Sequence, residues 1–134
     1  MIIGVPKEIK IQEYRVGLVP SSVKAFTAQG HEVYVETGAG SAIGYSDDSY
    51  ADAGAKILEA AKQVFDIADM IIKVKEPQLP ECKMLREGQV LFTYLHLAPD
   101  PKQAEALIES KCVAIAYETI TGEDGRGLPL LEPM

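Results

Sequence analysis

Five short apolar runs, each separated from the next by a stretch with helical punctuation, constrain this chain more than any other feature. The runs are Ile2–Val5, Glu32–Val35, Met70–Val74, Val90–Tyr94 and Val113–Ala116, rich in the β-branched and aromatic residues that strands prefer. Between the first two, Pro20 marks a first helical turn, Val23, Phe26 and Thr27 fall on one face, Gly30 stops the helix and His31 leads into the next strand. Asp100 as cap and Pro101 at the first helical position open a second helix, with Ala104, Leu107 and Ile108 expected toward the sheet. Strands apolar enough to be covered on both sides, joined through helices, imply right-handed crossovers. The expected fold is therefore α/β: a doubly wound, mostly parallel sheet with helices on both faces, Rossmann-like or flavodoxin-like. At 134 residues there is room for one such domain, and 47% hydrophobic residues can furnish its core.

Charge narrows the partners. Lys and Arg number 13 against 20 Asp and Glu, a formal charge of −7, which repels nucleic acid and anionic membrane. The opening Met1–Pro6 is too short for a signal segment, and no run approaches the ~18 apolar residues of a membrane span, so a cytoplasmic protein is expected. Cys82 and Cys112 lack CxxC spacing and read as small buried or half-buried residues, suggesting neither disulfide nor metal site. Thr121–Gly127 reads as a surface turn, and Leu128–Met134 is apolar without a cap, as expected of a piece of a longer chain.

Ligands of open parallel sheets collect beyond the carboxyl ends of the strands. Lys7, Glu8 and Arg15 follow the first strand, Lys75 the Met70 strand, His96 the Val90 strand and Glu118 the Val113 strand. Arg15 can grip a carboxylate with two parallel hydrogen bonds, or lie solvated on the surface. Lys75 can polarise a carbonyl oxygen, or pair with Glu76. His96 is suited to proton transfer near neutrality, or to a structural hydrogen bond. Glu118 can orient a neighbour or bind an ammonium group, or be an exposed loop carboxylate. His31 lies away from that edge and receives no role.

Gly38-Ala39-Gly40-Ser41-Ala42-Ile43-Gly44 imitates a dinucleotide fingerprint, but its third glycine is one position late and Asp47 and Asp48, which follow, would repel phosphate. No cofactor-binding residue is assigned there, and no Walker loop, HExxH, EF-hand loop or nucleophile elbow is present.

Gly4–Glu8, Arg15-Val16, Val35–Gly40, Val74–Pro77, Leu91–Leu97, Ala116–Thr119 and Leu128–Met134, in this order along the whole chain, resemble the N-terminal part of bacterial alanine dehydrogenase. The related transhydrogenase alpha subunit shares the opening and the Gly38 region, whereas His96 favours the dehydrogenase. The resemblance implies reversible NAD-dependent oxidative deamination of L-alanine to pyruvate and ammonia. It implies that Arg15 and Lys75 hold the substrate carboxylate and keto oxygen, that His96 and Lys75 are catalytic, and that Met134 lines the apolar side of the substrate pocket; Glu118 stays a substrate-binding candidate from its strand-end position alone.

By the same resemblance, residues 1–134 are the substrate domain. NAD is held mainly by a domain downstream, which also carries a catalytic Asp, and a C-terminal helix returns to close this one. The chain alone is then expected to be inactive, and the whole protein to be a homo-oligomer, a hexamer in this family. Ile11 and Glu132 depart from the family's usual polar and small residues. Two other readings stay open: the transhydrogenase alpha-type domain, and a non-catalytic ligand-binding module; the saccharopine dehydrogenase group is more remote.

Overall fold

A computed structural model describes residues 1–95 and 101–119. In chain order the elements are β1 (Ile2–Val5), α1 (Pro20–Ala28), β2 (Glu32–Glu36), a 3-10 turn (Ser41–Ile43), α2 (Asp47–Asp52), β3 (Lys56–Leu58) and α3 (Ala61–Ile67). Then come β4 (Met70–Ile72), α4 (Leu79–Cys82), β5 (Val90–Thr93), α5 (Pro101–Ser110), β6 (Val113–Ala116) and a second 3-10 turn (Tyr117–Thr119).

The six strands form one sheet in the order β3-β2-β1-β4-β5-β6, and every pairing is parallel. Strand alternation sends successive residues to opposite faces. Ile3, Val5, Val33, Val35 and Ile72 pack with Val23 of α1 and Tyr50 of α2 in one buried cluster. Ile71 and Leu91 pack with Val64 and Phe65 of α3 and Leu107 of α5 in the other. The doubly wound arrangement expected from the alternation is thus present. Gly4 lies beneath α3, where an added Cβ would come within 2.7 Å of a Val64 methyl and 2.8 Å of the Ala68 methyl, so a side chain there would hold helix and sheet apart.

α1 starts at Pro20, and Gly30 follows it with φ +88°, as the Pro-start and Gly-stop signals implied. Three expectations differ. β3 adds a sixth strand, a three-residue Lys56–Leu58 segment too short to register as a run. The fourth strand ends at Ile72 rather than Val74, because beyond it the Val74 and Lys75 amides leave the strand ladder for the carboxylate of Glu8. In α5, Leu107 and Gln103 are buried, but Ile108 is 77% exposed rather than turned to the sheet. Cys82 is buried and Cys112 half-buried. Asp100, the expected cap, lies outside the described residues.

Candidate functional site

The strand order reverses direction between β1 and β4, the place where open α/β sheets form a crevice beyond the strand ends. Here that crevice is closed at its base by Glu8. Its carboxylate accepts hydrogen bonds from Lys73 Nζ at 3.0 Å, Val74 N at 3.1 Å and Lys75 N at 3.1 Å. Lys73 also meets Glu81 Oε2 at 3.1 Å, as an ion contact rather than a directed hydrogen bond. The side chains of Lys73, Glu8 and Glu81 are nearly fully buried, at 1%, 2% and 2% exposure. Burial pushes the Glu81 carboxyl above its ordinary value, with attraction to Lys73 opposing. Charges are retained at such depth only with partners on every side, and Glu8 finds three. The Tyr117 hydroxyl donates to the Lys73 carbonyl, and burial pushes it up to about 12, so it stays a protonated donor.

This network fixes Lys75. Its N–H is held by Glu8, its carbonyl accepts the Thr93 hydroxyl at 2.8 Å, and its ammonium stands over the Tyr94 ring, 5.3 Å from the centroid, a favourable cation–π placement. Glu76, the alternative partner expected from sequence, is instead paired with Lys10.

Arg15 belongs to the loop between β1 and α1, and the Glu13 carboxylate holds it through Nε at 3.0 Å, Nη2 at 2.8 Å and the backbone N at 2.9 Å. These hydrogen bonds, and behind them the charges of Arg15 and Lys75, hold the Glu13 carboxyl below its ordinary value against the effect of partial burial. In turn Glu13 raises Arg15, and the charge of Glu8 adds to it. Glu13 thus feels the charges of both Arg15 and Lys75, and Arg15 those of both Glu13 and Glu8. Gly17 seats the loop: an added Cβ would fall 2.4 Å from the Ile72 carbonyl oxygen. Arg15 lines both a hollow of about 470 Å³ over the end of β1, shared with Lys7, Glu8 and Glu13, and an apolar cavity of about 540 Å³ walled by Phe26, Ile72, Phe92 and Tyr117.

Glu118 accepts from the Leu95 amide with both oxygens at 3.2 Å, bracing the exit of β5 immediately before His96. His96 and Met134 lie outside the described residues. The glycine loop serves itself: the Asp47 carboxylate accepts from Gly38 N at 2.9 Å and from the Thr37 hydroxyl at 2.5 Å. Those bonds lower the Asp47 carboxyl, the Thr37 bond most. An anionic group already occupies the amide that a dinucleotide's pyrophosphate would need, so the loop does not fit that cofactor.

Sequence reading noted Glu8 only as one of several polar residues after β1, and missed Glu13, Lys73, Glu81 and Tyr94. Glu13-x-Arg15 was legible as a local pair of opposite charges. The Glu8–Lys73 pair, 65 positions apart, had no local signal.

Fold and site together define a parallel α/β domain with paired basic and acidic side chains beyond the strand ends at its topological switch point. The chain belongs to the alanine dehydrogenase/PNT N-terminal domain family, whose model matches residues 4–134. It is 56% identical over all of its 134 residues to an alanine dehydrogenase of Methanococcus maripaludis and 54% identical to one of Bacillus subtilis, covering 36% and 35% of those proteins. The chain thus spans about a third of the length of these relatives. A solved L-alanine dehydrogenase superposes with a TM-score of 0.94 at 48% identity, over 99% of this chain and 36% of that one. A transhydrogenase from Sinorhizobium meliloti superposes at 0.82 and 28% identity, over 90% of this chain and 36% of that one.

Proposed function

We propose that this chain is the substrate-binding domain of an NAD-dependent alanine dehydrogenase, which interconverts L-alanine with pyruvate and ammonia. The observation that carries the reading is Glu8, whose carboxylate holds the Lys75 backbone N–H and which lines, with Glu13 and Arg15, the hollow over the end of β1. Pyruvate is a small anion with a ketone beside its carboxylate. Arg15 offers a planar fork to the carboxylate, and Lys75 is a compact donor to the keto oxygen, where negative charge develops as the carbonyl carbon is reduced or attacked. His96, next to the Leu95 amide that Glu118 braces, is assigned proton transfer, and Met134 the apolar wall. Glu118 enters as a brace of the strand end.

Dinucleotide binding is assigned to residues outside those described, within a longer protein that also supplies a catalytic Asp and a closing C-terminal helix. Among the described residues no helix is long and apolar enough to cross a membrane. A cytoplasmic hexamer is the assembly that goes with this reading. The dehydrogenase is favoured over the transhydrogenase by identities of 48–56% against 28%.

The test is pyruvate amination by the full-length protein. Arg15→Ala removes a charge-assisted hydrogen-bonding group worth about 1.5–3 kcal/mol and is expected to raise the KM for pyruvate about 10- to 100-fold. His96→Ala is expected to abolish most turnover and to flatten its pH dependence near neutrality. Unchanged KM in the first variant together with unchanged pH dependence in the second would leave only a binding module.

A further inference from the structure

We propose that Glu13 is a positioning residue: it holds the guanidinium of Arg15 by one edge, so that the other edge is presented to the substrate carboxylate. The proposal rests on the reading of Arg15 given above. A guanidinium has two edges able to make paired hydrogen bonds, one through Nε and Nη2 and one through Nη1 and Nη2. Glu13 occupies the first, with Oε2 on Nε at 3.0 Å and Oε1 on Nη2 at 2.8 Å. Among the described residues no hydrogen bond engages Nη1, so the second edge is left for a further carboxylate.

The asymmetry of burial gives the pair its direction. The Glu13 side chain is 6% exposed and that of Arg15 51%, so the carboxylate is the anchored member and the guanidinium the one aimed outward. Backbone geometry fixes the anchor. Gln12 takes φ +65°, in the left-handed region that non-glycine residues rarely occupy, and Glu13 N donates to the Lys10 carbonyl at 3.1 Å. Glu13 Oε2 then also accepts from Arg15 N at 2.9 Å, tying side chain and backbone of Arg15 to one group. An unanchored arginine on an exposed loop would sample many rotamers and lose that freedom when substrate binds. Glu13 also lies within reach of the Lys75 charge, so its negative charge offsets repulsion between the two cations before an anion arrives.

The substrate carboxylate keeps its charge throughout the reaction, so a better-aimed Arg15 stabilises ground and transition states alike and acts on KM rather than kcat. A double-mutant cycle in the full-length dehydrogenase tests this by pyruvate amination kinetics, with far-UV circular dichroism of each variant. Glu13→Gln turns an amide N–H₂ toward the guanidinium and is expected to raise the KM for pyruvate about tenfold with kcat within twofold. Arg15→Lys, which cannot use a paired edge, is expected to raise KM at least as much. In the Arg15→Lys background, Glu13→Gln is expected to add less than twofold. Glu13→Asp, which keeps the charge but is one methylene shorter, should fall between wild type and Glu13→Gln.

If Arg15→Lys leaves KM unchanged, the carboxylate-binding role of Arg15 fails and the proposal with it. If Arg15→Lys raises KM but Glu13→Gln does not, lowers it, or adds its full factor in the Lys background, the positioning role alone is overturned. A fall in kcat with unchanged KM would also overturn it. Should Glu13→Gln lose its helical spectrum, the Glu13→Asp comparison decides by the same criteria.

Discussion

Replacing Lys73 by Met keeps the apolar stem, with sulfur in place of one methylene, and removes the ammonium group, which makes it the sharpest probe of the Glu8–Lys73–Glu81 network. Without the ammonium, Glu81 Oε2 loses its 3.1 Å ion contact and Glu8 keeps only the Val74 and Lys75 amides. Two carboxylates about 2% exposed are then left facing a methyl thioether. Breaking a buried pair by removing one partner costs about 3–5 kcal/mol, a large part of the 5–15 kcal/mol typical of a whole domain. The loss should depend on pH in a defined sense. Burial already holds the Glu81 carboxyl above its ordinary value and Lys73 opposes that rise, so its removal moves Glu81 further up. A carboxyl raised in the folded state keeps its proton there, and its contribution is lost as pH rises through the folded value. The deficit of Lys73→Met should therefore be larger at pH 8 than at pH 5. Urea unfolding followed by far-UV circular dichroism measures it, since the chain has no tryptophan. Adding Glu81→Leu should restore about half of the deficit by removing the stranded charge. A deficit below about 1 kcal/mol at pH 8, or the same deficit at both pH values, would refute the assignment of these side chains as a charged network.

Three further outcomes are expected. Gly17→Ala places a methyl 2.4 Å from the Ile72 carbonyl oxygen, and overpacking of this kind costs about 1–3 kcal/mol; in the full-length protein it should also raise the KM for pyruvate, because the loop that moves carries Arg15. Asp47→Ala leaves Gly38 N and the Thr37 hydroxyl without their acceptor and should cost about 1 kcal/mol, read as a lower urea midpoint. In acid, Glu13 and Asp47, lowered from ordinary values of 4.5 and 3.8, contribute stability that is present above those values and lost as pH falls through the folded ones. Acid unfolding of Asp47→Asn should accordingly show a weaker pH dependence below about pH 4 than wild type.

The alternation of apolar runs with Pro-started, Gly-stopped helices was enough to name the fold, since periodicity and capping are local properties that one stretch of chain carries by itself. It was also enough to place Lys7, Glu8, Arg15, Lys75 and Glu118 near one edge, because a parallel sheet puts all its strand ends on the same side. Local signals failed where a segment was too short, as at Lys56–Leu58, or where a helix face was misjudged by one position, as at Ile108. Which charges touch was decided only by the tertiary structure. The Lys75–Glu76 pairing was plausible from adjacency, yet Glu76 pairs with Lys10, and Lys75 is held by a residue 67 positions away. The physical reason lies in the strand order: β1 and β4 become neighbours only because the chain, after adding β2 and β3 on one side of β1, returns to add β4 on the other. The ends of their backbone ladders then leave donors that a buried carboxylate must satisfy, and no single stretch of sequence contains both the donors and Glu8.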